Sequence, residues 1–441
     1  MIMNYRKTLA AVCLSVAALA ASAQNGRDDV ALLLNARISG STRIYESSAR
    51  ALASIASSSN NTQAVLARFL LAVISTEPDA PKAAKLSPET RADYLAQSRN
   101  RILALAQKVD NPNPLAMYLL YLEGGKFALS NLEKAARGDN VQALNELGSR
   151  LLAESLKWKP NEERTLKRQR DCFGYFSRAA VNKNDPNGLY NVGVCHLNGW
   201  GAKKDTAVAL EYLQKAAEQD QPRALELLGE MYRDGRGVDR DLVMSAKYFS
   251  RSSGLGYPKG MFEYANALLA GNGIEKNERR AVSLLKSAAE SGLVDAMDGY
   301  AKCLYDSIGV KPVATNGLTG VELAKALDDN LAAASNRLHT AVSIWYHCAS
   351  KRKFLPSMDN LATAFLEGRG VPRNERAAVG WYSKAANEGY VPAMRHLADC
   401  HDRGVGGLKA SHYNANWWRT RANAVSGDRN AWVWLSAHEL E

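Results

Sequence analysis

Between Ala143 and Trp418 the chain repeats itself, and that period constrains the fold before any motif does. A small residue opens each copy, at Ala143, Gly188, Ala224, Gly260, Ala296, Ser357 and Ala393. Four of the six steps between them are 36 residues; the steps of 45 and 61 carry insertions. With that residue as position 0, +4 is large: Leu147, Val192, Leu228, Tyr264, Tyr300, Leu361 and Leu397. Position +5 is always glycine or alanine: Gly148, Gly193, Gly229, Ala265, Ala301, Ala362 and Ala398, the candidate repeat-packing residues. In the least interrupted copy, Ala224–Lys259, the residues Ala224, Leu225, Leu228, Gly229 and Tyr232 fall on one face of a 3.6-period helix. Gly235 and Gly237 end that helix, and Asp241 suits the N-cap of a second. Loop glycines recur as Gly199/Gly201, Gly271/Gly273, Gly368/Gly370 and Gly404/Gly406. A bulky pair recurs on the second helix: Tyr175-Phe176, Tyr212-Leu213, Tyr248-Phe249, Leu284-Leu285, Trp345-Tyr346, Trp381-Tyr382 and Trp417-Trp418.

This pattern resembles the Sel-one-like repeat family, a relative of the tetratricopeptide repeats. Residues 357–389 come nearest to its unit, with Leu361, Phe365, Gly368, Gly370, Val371, Trp381, Tyr382, Lys384, Ala385, Ala386 and Gly389. The resemblance covers about residues 143–430. It implies an all-α fold, a right-handed α-solenoid of stacked helix-turn-helix units. It also implies a protein-binding scaffold, a role some members play in signalling or in the bacterial envelope.

The N-terminus reads as an address. Arg6 and Lys7 precede an apolar run, Leu9–Ala21, broken by one serine, and Ala21-Ser22-Ala23 is a small-x-small cleavage site. This is the pattern of a secretory signal peptide over 1–23, leaving a mature chain from Gln24 in the periplasm or outside the cell. The run is too short to span a bilayer, and the mature chain has no transmembrane stretch. Cys13 offers a lipoprotein alternative, but Ala10-Ala11-Val12 lacks the residues that usually precede a lipidated cysteine. The formal charge of +11 falls to +9 without Arg6 and Lys7 (11 − 2). An exported chain rarely meets nucleic acid, so the basic balance points to a solvated surface, or to an acidic protein, lipid headgroups or an anionic envelope polymer as partner.

Residues 24–140 form an irregular helical N-terminal region. Helices are expected over 42–75, interrupted by Ser57–Asn61, and from Ser87-Pro88-Glu89 to about Lys108, with Tyr94, Ile102, Leu105 and Val109 inward. Residues 115–137 read as a shortened repeat. About seven repeats follow over 141–430, and a cap helix over 431–441. The insertion at 154–169 is basic, with Lys157, Trp158, Lys159, Arg164, Lys167 and Arg168; the one at 308–334 carries a helix from about Val321 to Ala334. Insertions in repeat arrays often map to the binding face.

Candidate chemistry is sparse. Five cysteines remain after residue 23: Cys172, Cys195, Cys303, Cys348 and Cys400. A secreted branch of the resembled family bridges cysteines eight residues apart; no two here have that spacing. Cys303 with Cys348 is the candidate disulfide, and Cys172 with Cys195 the next. His396 and Cys400 stand at i, i+4, where two metal ligands can meet, but His401 takes the +8 slot of Tyr232, so packed core histidines account for the cluster. Ser283-Leu-Leu-Lys286 and Ser350-Lys-Arg-Lys353 match the S-x-x-K of penicillin-recognising enzymes, without S-D-N or K-T-G. The Gly-x-Gly pairs follow helices, so they are turns and not nucleotide loops. No residue set calls for catalysis, a metal or a cofactor. Trp158, Trp417, Trp418, Trp432 and Trp434 are candidate partner contacts, with sealing of the terminal cap as the alternative for the last four. The expectation is a non-catalytic scaffold or adaptor in the envelope. The competing readings are a peptidoglycan-related enzyme or its regulator, and a glycan-binding protein using the C-terminal tryptophans.

Overall fold

The computed structural model describes residues 33–436 and His438, apart from 35–36, 38–39, 41, 59–61, 78–79, 109–111 and 307–319. The expected signal peptide, Cys13, Val109 and the first part of the 308–334 insertion lie outside the described residues.

Among the described residues there is no strand; twenty α-helices follow one another. Five precede the first repeat: α1 (Thr42–Ser58), α2 (Thr62–Ile74), α3 (Pro88–Ala106), α4 (Pro114–Glu123) and α5 (Ala128–Arg137). The hairpins of the first unit continue as α6 (Val141–Ser155) with α7 (Glu163–Ser177), α8 (Pro186–Asn198) with α9 (Thr206–Glu218), and α10 (Pro222–Asp234) with α11 (Leu242–Gly254). Then come α12 (Pro258–Ala270) with α13 (Glu278–Glu290), α14 (Val294–Tyr305) with α15 (Gly320–Lys351), α16 (Leu355–Glu367) with α17 (Glu375–Asn387), and α18 (Val391–Arg403) with α19 (His412–Val425). α20 (Arg429–Ser436) is last. The chain forms two compact units, Met1–Gly260 and Met261–Glu441.

Local chemistry explains the hairpins. First helices end on glycines with left-handed backbone, such as Gly235 at φ 68° and Gly368 at φ 69°, where a side chain would strain the turn. Second helices begin where Asp205, Asp241, Asn277, Asn374 or Ser411 accepts a hydrogen bond from an otherwise unpaired backbone N–H. The two helices of a unit then lock at +5. A Cβ on Gly229 would lie 2.5 Å from Cε1 of Phe249, and one on Gly148 2.5 Å from Cε1 of Phe176. Ala265, Ala301, Ala362 and Ala398 are fully buried at the same position.

The α14–α15 hairpin departs from expectation twice. The helix expected to end near Ala334 runs on into the second helix as one 32-residue element, because no glycine or proline interrupts Val321–Lys351. Trp345-Tyr346 is also not in register with Trp381-Tyr382. Trp345 is buried and Tyr346 exposed, so Ile344-Trp345 is the equivalent pair. The extra residue is absorbed after the helix, where Lys353 takes φ 52°. An extra residue between Phe176 and Gly188 is taken up by a π-helical turn, Arg178–Asn182.

In the first unit one core runs from Leu33 through α2 and α4 to Leu147 and Ala179, and a second from Cys172 to Met231. α3 buries Ser98, Ile102 and Ala106, with Tyr94 and Leu105 only partly covered. The start of α1 also reaches far along the chain: Thr42 Oγ1 donates to Gly256 O (2.7 Å), and Arg43 to Gly254 O (3.1 Å). In the second unit the main core extends from Ala301 to Ala422.

Candidate binding surface

Positions 0, +1, +4, +5 and +8 of a first helix face the core, so +2, +3 and +6 fall to one side of that stripe. There they meet the first helix of the next hairpin and form a polar ladder. In the first unit, Asn145 (+2 of α6) donates to Asp185 Oδ2 at the cap of α8 (2.8 Å) and accepts from Asn191 (3.1 Å). Gln221, the cap of α10, donates to Asn187 of α8 (3.2 Å). Lys259 of α12 reaches Glu226 (2.7 Å) and Glu230 (3.0 Å) of α10. In the second unit, Asp298 (+2 of α14) accepts from Ser357 Oγ (2.6 Å) and Asn360 (3.1 Å) of α16. Asp359 (+2 of α16) pairs with His396 Nδ1 of α18 (2.8 Å).

Burial makes this ladder electrostatically sensitive. Loss of solvent, helped by the neighbouring Glu230, pushes the Glu226 carboxyl up to about 7 against the pull of Lys259. Burial also acts against the charged form of Glu230, but hydrogen bonds from Glu226 and Lys259 win and hold it below its ordinary value. Asp298 is raised by burial, against its bonds from Ser357 and Asn360. His396 is raised because its hydrogen bond to Asp359 outweighs the cost of burial. A network of this kind fixes the register between hairpins more than it adds net stability. Beside it, Arg223 lies over the Tyr190 ring at 5.1 Å.

The second helices carry a different device. Arg178 donates to Ala136 O (3.0 Å) and Asp139 (2.5 Å) in the turn before its hairpin; Arg251 does the same to Ala217 O (2.9 Å) and Asp220 (2.7 Å). Each arginine caps a helix C-terminus and pairs with an aspartate at positive φ (57° and 54°).

The five candidate tryptophans differ in what covers them. Trp418 is a core residue, 3% exposed, because it occupies the buried second position of its bulky pair. Trp417 is half-buried, donates to His438 O (3.1 Å) and shares Arg421 with Trp418. Trp434 stacks on His438 at 4.1 Å. Trp432 is exposed, and Trp158 is half-covered by Arg164 at 4.7 Å. The five cysteines are buried and free. Cys303 and Cys348 are not bonded: Cys348 lies toward Ser357 and Asp298, with Met297 Sδ 3.8 Å from its sulfur, while Cys303 lies near Glu278 and Asp306. Cys172 and Cys195 do meet thiol to thiol, and the shared hydrogen bond holds Cys172 below its usual value and raises Cys195. His396 turns to Asp359 and not to Cys400, so the i, i+4 pair forms no ligand set. Ser350 Oγ donates to Tyr346 O (2.6 Å), and the nearest carboxylate to Lys286 is Glu290 (3.9 Å), so neither S-x-x-K match pairs its serine with its lysine. Sequence reading passed over the ladder. Its signal was present in the polar residues at +2 and +3 (Asn145, Asn191, Glu226, Asp298, Asp359, Asn360, His396), set beside the core stripe copy after copy.

Comparison with known proteins agrees with this architecture. The Sel1 repeat matches residues 186–221, 222–257, 258–293, 355–390 and 391–422. The two units without a match, opening at Ala143 and Ala296, are those with insertions. No curated protein matches the chain. Among solved structures, a Sel1 repeat protein from Oxalobacter formigenes is similar over 63% of this chain and 96% of its own, at 20% identity and TM-score 0.51, which supports the fold. Two others are c5321, a protective antigen of uropathogenic Escherichia coli displaying an SLR fold (19% identity, 85% of this chain, 90% of its own, TM-score 0.34), and a putative sel1 repeat protein from Klebsiella pneumoniae subsp. pneumoniae (16%, 52%, 98%, 0.30). With five matched repeats in an all-α array of hairpins, the chain is a Sel1-like repeat protein.

Proposed function

We infer that this protein is a non-catalytic scaffold that holds a protein partner on the first-helix face of its repeats. Sel1 repeats generally mediate binding between proteins. One observation carries the reading to this face. Within the one chain, +4 and +5 stay large and small, while the partly exposed +3 changes from Glu146 to Asn191, Leu227, Glu263, Gly299, Asn360 and His396. A constant core beneath a side-chain row that differs from copy to copy is what a repeat array uses to recognise one extended partner. A photo-crosslinking residue at Tyr190 should capture the partner in living cells, and one at Lys247, exposed on a second helix, should not. Equal capture at both positions would refute the assignment to this face. Turnover of cell-wall fragments, or acylation of Ser283 or Ser350 by labelled penicillin, would refute the non-catalytic reading.

The setting belongs to the same proposal. The Arg6–Ala23 pattern supports export to the bacterial envelope, and no helix among the described residues is long and apolar enough to cross a membrane. N-terminal sequencing of the protein from fractionated cells should begin at Gln24. A chain that retains Met1 in the cytoplasm would overturn the export reading.

A further inference from the structure

The joint between α5 and α7 differs from the others in the first unit. Elsewhere the loop of one hairpin sits on the second helix of the hairpin before it: a Cβ on Gly201 would collide with Gln169 O and Phe173, and one on Gly237 with Thr206. The loop of the Ala143 unit has no glycine to make that approach. The +8 position differs as well. His196 and Tyr232 stack on Tyr212 and Tyr248 of their second helices (6.1 and 5.6 Å), but here +8 is Leu151. Between α5, α6 and α7 an open groove of about 540 Å³ remains. Leu147, Leu151 and Tyr175 line its apolar part, and Arg137, Arg168 and Arg170 its charged part.

The positive charge there is incompletely answered from within the chain. Glu133 and Asp171 also line the groove, and Arg178 is committed to its helix cap. Arg137 and Arg168 have only loose pairs, with Glu133 at 3.7 Å and Glu154 at 3.8 Å. Among the described residues Arg170 has no ion-pair partner, and neither do Lys157, Lys159 and Lys167 of the basic insertion. Structural arginines in this fold are tied down, as Arg178 and Arg251 are; these cations are not.

From the apolar floor, the arginine rim and the surplus of unpaired cations, we propose that this groove on the second-helix side docks an acidic protein segment through a leucine or aromatic side chain. The anchor would rest on Leu147, Leu151 and Tyr175, while neighbouring carboxylates pair with Arg168 and Arg170. Both terms are needed. The guanidinium forks favour carboxylates, and the apolar floor gains only from a side chain that an anionic polysaccharide lacks. This surface is separate from the first-helix face, so the two readings can fail independently.

Gly174 makes a direct test available. It lines the groove within a helix, and a Cβ there would meet nothing within 4 Å; Gly380, in the middle of α17, is equally open but lies outside the groove. The full chain is titrated with a fluorescent peptide of alternating glutamate and leucine, one of glutamate and glycine, and polygalacturonate. The glutamate–leucine peptide should bind, more weakly as salt rises. Gly174→Trp, which fills the groove, and Arg170→Glu, which reverses a rim charge on an exposed side chain, should each weaken it about tenfold or more. Gly380→Trp should leave binding unchanged. Circular dichroism melts as cooperative as the parent's, with no loss of melting temperature, show that the variants are folded. Absence of binding, indifference to both groove variants, or equal affinity for polygalacturonate or the glutamate–glycine peptide would overturn the proposal, while crosslinking at Tyr190 would still report on the first-helix face.

Discussion

The contact between Gly229 and Phe249 allows a quantitative test of how each hairpin closes. An alanine at 229 would place its Cβ 2.5, 2.6 and 3.0 Å from Cε1, Cδ1 and Cζ of the ring, whereas carbon pairs rest at about 3.5–4.0 Å. The ring must therefore retreat by roughly 1 Å, and it is 2% exposed with no open space to retreat into. Overpacking of this size costs about 1–3 kcal/mol. Replacing a helical glycine by alanine returns about 0.5–1 kcal/mol. Gly229→Ala should then destabilise by ~1 kcal/mol, although the same change at an open helical site stabilises. Phe249→Leu alone removes buried volume and costs about 1 kcal/mol. Together they recreate the combination found one hairpin later, Ala265 with Leu285, both fully buried. The double variant should be more stable than the sum of the singles predicts, with a coupling of ~1–2 kcal/mol. Urea unfolding followed by far-UV circular dichroism measures all four proteins. Strict additivity, or a stabilised Gly229→Ala, would refute steric locking at +5.

Four further outcomes follow from the same geometry. Gly380→Ala, at an open helical position, should raise stability by about 0.5–1 kcal/mol in the same urea assay. His396 gains affinity for its proton on folding, so its contribution is fully present below pH about 6.5 and is lost as pH rises through its raised folded value; His396→Gln should remove that part of the stability–pH slope. Glu226 is likewise raised, from 4.5 to about 7, so stability should fall as pH climbs across that interval; thermal melts of Glu226→Gln should show a flatter profile there, and an unchanged slope would contradict its burial as an acid. Trp418→Ala should cost about 3–5 kcal/mol, while Trp432→Ala, on the exposed side of α20, should stay within about 0.5 kcal/mol of the parent.

Most of the architecture was legible because it rests on short-range rules repeated many times. Position +5 recurs in seven copies, and the loop glycines and caps such as Asp241 in five, so a single sequence displays each rule several times over. Where one residue was added, the period alone misled. Trp345-Tyr346 looks like Trp381-Tyr382, yet the added residue sits after the helix at Lys353, and only burial shows that Trp345 is the inward member. The length of α15 was readable, since no breaker separates Ala334 from Ser335, but the repeat boundary suggested a stop there. The polar ladder was half visible. Asp298 and Asp359 stand at equivalent positions, but their partners Asn360 and His396 are supplied by the next hairpin, a pairing that spacing within one helix does not reveal. The open groove beside Gly174 was the hardest to foresee, because it arises from what one loop and one +8 residue lack.

The bond from Thr42 to Gly256 bears on how the first unit comes apart. A row of stacked hairpins held only by nearest neighbours can fray from its end, one unit at a time. Here the end is tied back across 214 residues. Closing so long a loop from a flexible chain would cost ~5 kcal/mol in entropy, more than two hydrogen bonds return. The tie can therefore form only after the intervening hairpins have stacked and brought its two ends together. It behaves like the last link of a belt: it adds little strength of its own, but slackening at any hairpin between α1 and α11 is felt at the buckle. Amide exchange at Arg43 and Gly256 should then rise together when a distant contact such as Asn145–Asp185 is broken, so that a local fault is announced at the ends of the first unit.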